Sequence, residues 1–241
     1  MRSQPVDLRR ARRFAIALCV VAAPVSVGVI RTITPVVDAD TAARVVPAFA
    51  DHLGAVRVTF VFDVIAAMLL PFLVMGLYRL TARRVPVLAA AGAVLALAGW
   101  VMLPFLAAQD ILGYELARAG GDPAIWDRFT ASPAFAASLF IFIVAHELGM
   151  VLLGVALWRS RAVAAWAGAA VAVGTVAHLA GVVSDTRAVD VIGFAVMIAG
   201  CVAAARAILA TPDDEWDLRP AATAPHTAAA DSVTAGAAVT R

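Results

Sequence analysis

Within its apolar stretches the sequence carries four side chains able to do chemistry: Asp63, His146, Glu147 and His178. Two imidazoles and two carboxylates suit zinc or iron, and the same groups serve as carriers in proton relays. An aspartate at the centre of a membrane helix costs roughly 2.5–3.5 kcal/mol on insertion, which about ten strongly apolar neighbours offset. Asp63 must then face the protein interior or water. At the helical rise, Asp63 stands about 24 Å above Arg79 and His178 about 25 Å above Arg161. On the same arithmetic Asp190 falls about 24 Å above Arg206, and Arg31 about 27 Å above Arg13. His146 and Glu147 lie a turn lower, about 20 and 18 Å above Arg159. These six residues define a polar layer in the half of the bilayer remote from those arginines. Matching depths and the small-residue face around His178 predict an Asp63–His178 contact, direct or through one water.

The motifs that would turn these groups into a defined chemistry are missing. Position 150 is Met150, so His146-Glu147 does not open an H-E-x-x-H zinc motif. No serine or cysteine nucleophile accompanies the pair. His146 and His178 differ by about 5 Å in depth, an awkward offset for a bis-histidine haem. Cys19 and Cys201 are far apart and form no C-x-x-C, which leaves them as small apolar fillers. The sequence thus assigns no catalytic residue, no metal ligand and no cofactor. Three uses of the polar layer remain. It can fix helix register through hydrogen bonds. It can line a pathway or pocket for a proton, ion or small solute, with Asp63 and Glu147 as titratable carriers. Or it can form an intramembrane enzyme or metal/redox site on Asp63, His146, Glu147 and His178.

The elements that must position these residues follow from composition. Of 241 residues, 63% are hydrophobic and 15% charged, with a mean hydropathy of +0.90. A soluble domain runs near half apolar and a quarter charged. Six apolar stretches, at 14–30, 58–78, 85–109, 129–158, 162–184 and 191–205, approach or exceed the roughly 20 residues a membrane helix needs. The alternating ten-residue segments of a membrane barrel are absent, so the spans must be helices. The expected fold is an all-α bundle of six spans over 14–210. A basic segment at 1–13 precedes it, and a tail at 211–241, with little to bury, is expected to be disordered. All 19 basic residues are arginine; leaving aside Arg241 far along the tail, alternate connections carry 12 on one side and 6 on the other, which puts both termini in the cytoplasm. The first apolar run spans 17 residues with no A-x-A site after it, so it reads as a retained helix and not a signal peptide. The expected partner is the lipid bilayer. A net charge of +2 without a basic aromatic stripe excludes nucleic acid.

The connections carry their own signals. Val45, Val46, Phe49 and Leu53 are spaced for a short amphipathic helix on the membrane interface. Gly120-Gly121 should break an extended third span, and Asp122-Pro123 should start a short helix. Tyr78, Tyr114, Trp126 and Trp158 fall where an aromatic belt belongs. Gly92, Ala96 and Gly99, Ala145 and Gly149, Gly174 and Gly181, and Gly193 and Gly200 form stripes that let spans three to six pack closely. Pro24, Pro71 and Pro104 sit mid-span in the first three. The segment Gly76-Leu77-Tyr78-Arg79, with Arg83-Arg84 after it, echoes Ala156-Leu157-Trp158-Arg159 with Arg161, as though one hairpin occurred twice. These two motifs, G-L-Y-R-L at 76–80 and A-L-W-R-S-R at 156–161, resemble those of six-span actinobacterial membrane proteins of the domain-of-unknown-function type, over residues 56–205. The resemblance implies a multi-pass membrane protein and carries over no catalytic residues. The resulting expectation is a non-enzymatic multi-pass protein of a bacterial plasma membrane, offering a path to a small solute, ion or proton. The alternative is an intramembrane enzyme or metal/redox protein.

Overall fold

A backbone in lipid has only itself to bond to, so apolar runs of this length become helices. The computed structural model describes residues 8–37 and 41–217, apart from the side chain of Asp214, and every regular element among them is a helix. In chain order these are α1 (Arg9–Ile33), α2 (Ala42–Asp51), α3 (Leu53–Thr81), α4 (Pro86–Trp100), α5 (Leu103–Ala119), α6 (Ala124–Thr130), α7 (Pro133–Ser160), α8 (Ala165–Val183), α9 (Arg187–Ala210) and α10 (Asp213–Trp216). Six spans are long and apolar enough to cross a membrane: α1, α3, α4 with α5, α7, α8 and α9. The architecture is that of a multi-pass helical membrane protein.

Successive spans pack side by side, and α9 returns to α1, so the six form a ring in sequence order. The ring is filled at the end where α10 lies, which we call proximal. There Val20, Leu70, Leu73 and Leu77 meet Leu153, Leu157 and Ile208 in one buried cluster. At the opposite, distal end α2 and α6 form a cap, with Val45 and Phe49 packed against Tyr114, Leu116 and Trp126. Between core and cap lies a cavity of ≈ 680 Å³.

The small-residue stripes pack as expected. Gly92 and Gly99 of α4 face Gly149 and His146 of α7, while Gly174 and Gly181 of α8 face Met197 and Asp190 of α9. The prolines divide into two kinds. Pro24 and Pro71 lie within uninterrupted helices, whereas the third span breaks at Val101-Met102. Pro104 falls in the first turn of α5, where a missing N–H costs nothing.

Three expectations are corrected. The amphipathic helix forms as α2, but Val45 and Phe49 bury against α5 and α6 instead of lying on the interface. Tyr114 and Trp126 are interior residues, 6% and 0% exposed, and not part of an aromatic belt. Trp126 uses its Nε1–H to hold the carbonyl of Gln109 at 3.1 Å. The stretch 211–217, assigned from sequence to the tail, contains α10, whose Trp216 is 2% exposed within the proximal core. Arg13 pairs with Asp213 at 2.8 Å and Arg9 with Asp217 at 3.5 Å. One large apolar side chain is enough to dock a segment whose average composition is poor in them. Residues 1–7 and 218–241 lie outside the described residues.

Candidate functional site

The cavity arises from the break in the third span. A Cβ at Gly99 would run into the backbone of His146, so α4 and α7 touch at that level. Two residues further on the helix ends, and α5 turns to pack on α2 and α6. The wedge opened between α5 and α7 is the cavity. Leu103 and Leu106 line one wall, and Phe135, Leu139, Phe142 and Ile143 the other. Polar groups gather in it as well: Asp63, Asp110, Gln109, His146, Glu147 and His178.

His178 is held by its surroundings. Gly193 lets α9 approach so closely that a Cβ there would lie 2.5 Å from the His178 nitrogen. Nδ1 of His178 is 2.6 Å from Oδ1 of Asp190, and the other oxygen of Asp190 accepts from Nε of Arg31 at 2.7 Å. Arg31 also donates to the Val37 carbonyl at 2.8 Å. Asp190 has no exposed surface. Because the carboxylate is ionised beside Arg31, it accepts and Nδ1 carries the hydrogen. In the neutral ring Nε2 then keeps its lone pair. A carboxylate on the far ring nitrogen is the arrangement that orients a metal-binding histidine and raises its basicity.

His146 reaches the same state by a different route. Its Nδ1 lies 2.5 Å from the Phe142 carbonyl, which can only accept, so Nδ1 donates and Nε2 holds a lone pair in the neutral ring. The rings of Phe142 and Trp100 stack on it at 4.3 and 4.6 Å. Nε2 then stands 3.1 Å from Oε1 of Glu147 without the alignment a hydrogen bond needs. Both oxygens of Glu147 are buried with no hydrogen-bond partner among the described residues. With the His146 ring neutral, two acceptors face each other. Burying an ionised carboxylate unpaired costs several kcal/mol unless a cation lies between them. His146, Glu147 and His178 each present one ligand atom, all within 4.8 Å of one another. Metal–nitrogen and metal–oxygen bonds are about 2.0–2.2 Å long, so modest side-chain rotations bring these three atoms onto one ion.

The depth offset between the two histidines is closed by chain direction. Helical side chains lean towards their own N-terminus. α7 descends from the distal end and α8 ascends towards it, so His146 leans up and His178 leans down. The cross-helix partner of His178 is Asp190, not the expected Asp63. Asp63 lines the same cavity and makes no hydrogen bond or ion pair among the described residues. Sequence reasoning missed two residues. Asp110 follows the charge-free run directly, on the expected extension of the third span, and was not counted in the polar layer; α5 carries it into the cavity, within Coulombic reach of Asp63 and Arg31. The signal was available, since the third span already read as extending through Arg118. Trp100 lies within the apolar stretch 85–109 and was not singled out, yet its Nε1 is buried without a partner among the described residues.

No protein-family model, curated protein or solved structure matches the chain.

Proposed function

We propose that this multi-pass membrane protein binds a divalent transition-metal ion in its distal cavity through His146, Glu147 and His178. The observation that carries the reading is the orphaned Glu147 carboxylate set 3.1 Å from Nε2 of His146, with His178 beside them. Two imidazoles and one carboxylate are the donor set of catalytic zinc and of non-haem iron(II) centres, which leave coordination positions open. Those positions would face the cavity. Its charge favours a cation: Asp63 and Asp110 line it, and Arg31 is committed to Asp190. The reading includes both termini on the cytoplasmic side of a bacterial plasma membrane. It is supported by arginines 79, 83, 84, 159 and 161 at the proximal end.

The test is elemental analysis of the purified full chain, followed by cobalt(II) titration of the metal-stripped protein. About one metal ion per chain is expected, with the visible bands of a nitrogen- and oxygen-ligated cobalt ion. Glu147→Gln and His178→Ala should each abolish stoichiometric loading. A folded wild-type chain that takes up no metal would instead make His146 and Glu147 an imidazolium–carboxylate pair, and the reading would be wrong.

A further inference from the structure

A metal and its waters do not account for the size and shape of the cavity. A water takes about 30 Å³, so an ion with two or three of them fills a small part of the ≈ 680 Å³ present. The remainder is a slot with apolar walls. On α7 Phe135, Leu139, Phe142 and Ile143 repeat at helical spacing and lead down to His146, a run of about 16 Å along the axis. Leu103 and Leu106 of α5 face them across the wedge. At the deep end the metal-binding cluster meets an indole N–H of Trp100 that has no acceptor, and an Asp63 carboxylate that has no donor, among the described residues. One end thus asks for a group that coordinates, accepts and donates; the other asks for hydrocarbon.

Resting on the metal reading above, we infer that the cavity takes a membrane amphiphile. Its polar head carries an oxygen ligand for the metal and a hydroxyl or amide donor, and its apolar chain lies in the slot between α5 and α7. A neutral head is favoured, because Asp63 and Asp110 repel an anion and the only lining arginine among the described residues is already paired.

Hydroxamic acids, neutral in the free state, supply an oxygen ligand and an N–H donor and can be made with or without a chain. The cobalt-loaded full chain in lipid nanodiscs is titrated with octanohydroxamic acid and with acetohydroxamic acid, and the cobalt bands report binding at the metal itself. Two variants, Leu139→Trp and Leu106→Trp, fill the slot from opposite walls, so that one remains informative if the other does not fold. Each should weaken octanohydroxamate at least about tenfold and leave acetohydroxamate unchanged; comparing variants with one probe cancels its partition into lipid. If both probes respond alike to the filled slot, or neither responds, the amphiphile inference is overturned while the metal reading stands. A wild-type chain that cannot be loaded with cobalt overturns both.

Discussion

Asp190 holds His178 with one carboxylate oxygen, at 2.6 Å, and Arg31 with the other, at 2.7 Å, and so ties α1, α8 and α9 together at one buried point. Replacing it by Asn removes a charge partner and a strong acceptor at once. Asp190→Asn should cost about 3–5 kcal/mol, because Arg31 is left uncompensated. It should also weaken metal binding about 10–100-fold, because the imidazole loses its orienting carboxylate. The double variant Arg31→Leu with Asp190→Asn should regain stability without regaining affinity. Thermal melts and cobalt titrations in detergent read the two effects separately; recovery of both together would show that the carboxylate acts on metal only through the fold.

Glu147 separates a metal ligand from a structural group. In metal-stripped protein, Glu147→Gln should leave the melting temperature unchanged or raise it, since a neutral amide relieves a buried unpaired charge and can donate to His146. A fall of several degrees would mean that the carboxylate fixes helix register and that its orphaned state is not a mark of function.

Trp216 should behave as a core residue despite its place after the last span. Trp216→Ala is expected to cost about 3–5 kcal/mol, as for other buried aromatics cut to alanine. Truncation after Ala210 should be as harmful, whereas truncation after Asp217 should not. Unfolding midpoints of the three proteins decide it, and an unchanged midpoint for Trp216→Ala would dismiss the docked α10.

The sidedness of the ring can be read directly. Reporters fused at residue 82 or 160 should report cytoplasm, and one inserted near residue 122 should report the exterior, following the 12 to 6 division of arginines. An inverted result at any of these positions would turn the bundle over and put the cavity on the cytoplasmic side.

Six spans, their packing faces and the shared level of the polar residues were legible because each rests on one physical rule: hydrophobic length, small residues at close contacts, and rise per residue. Partnership within the layer was not. Depth places Asp63, His178, Asp190 and Arg31 at one level but says nothing of rotation about each helix, and rotation decides that His178 meets Asp190. The offset of His146 from His178 is awkward for a bis-histidine haem only when measured along the backbone, without the lean of antiparallel side chains. Trp216 and Asp110 were lost for a shared reason. Each was judged by the segment around it, a polar tail or the end of an apolar span, when its own side chain was what the fold used.

Five of the six seams in the ring join successive spans, and one, between α1 and α9, joins the two ends of the membrane domain. Contacts between near segments form early; those between distant ones wait. Until α9 arrives the bundle is an open trough, and His178 has neither Asp190 nor, through it, Arg31. Loading with metal would then mark a finished chain. A staple across that seam makes the order measurable. A Cβ at Gly28 would stand 3.5 Å from that of Phe194, a spacing at which two cysteines can bond. With Gly28→Cys and Phe194→Cys, pulse-labelled chains should cross-link only after α9 is made, and cobalt uptake should rise in step with the cross-link. Uptake that precedes it would show the ligand set complete in the trough.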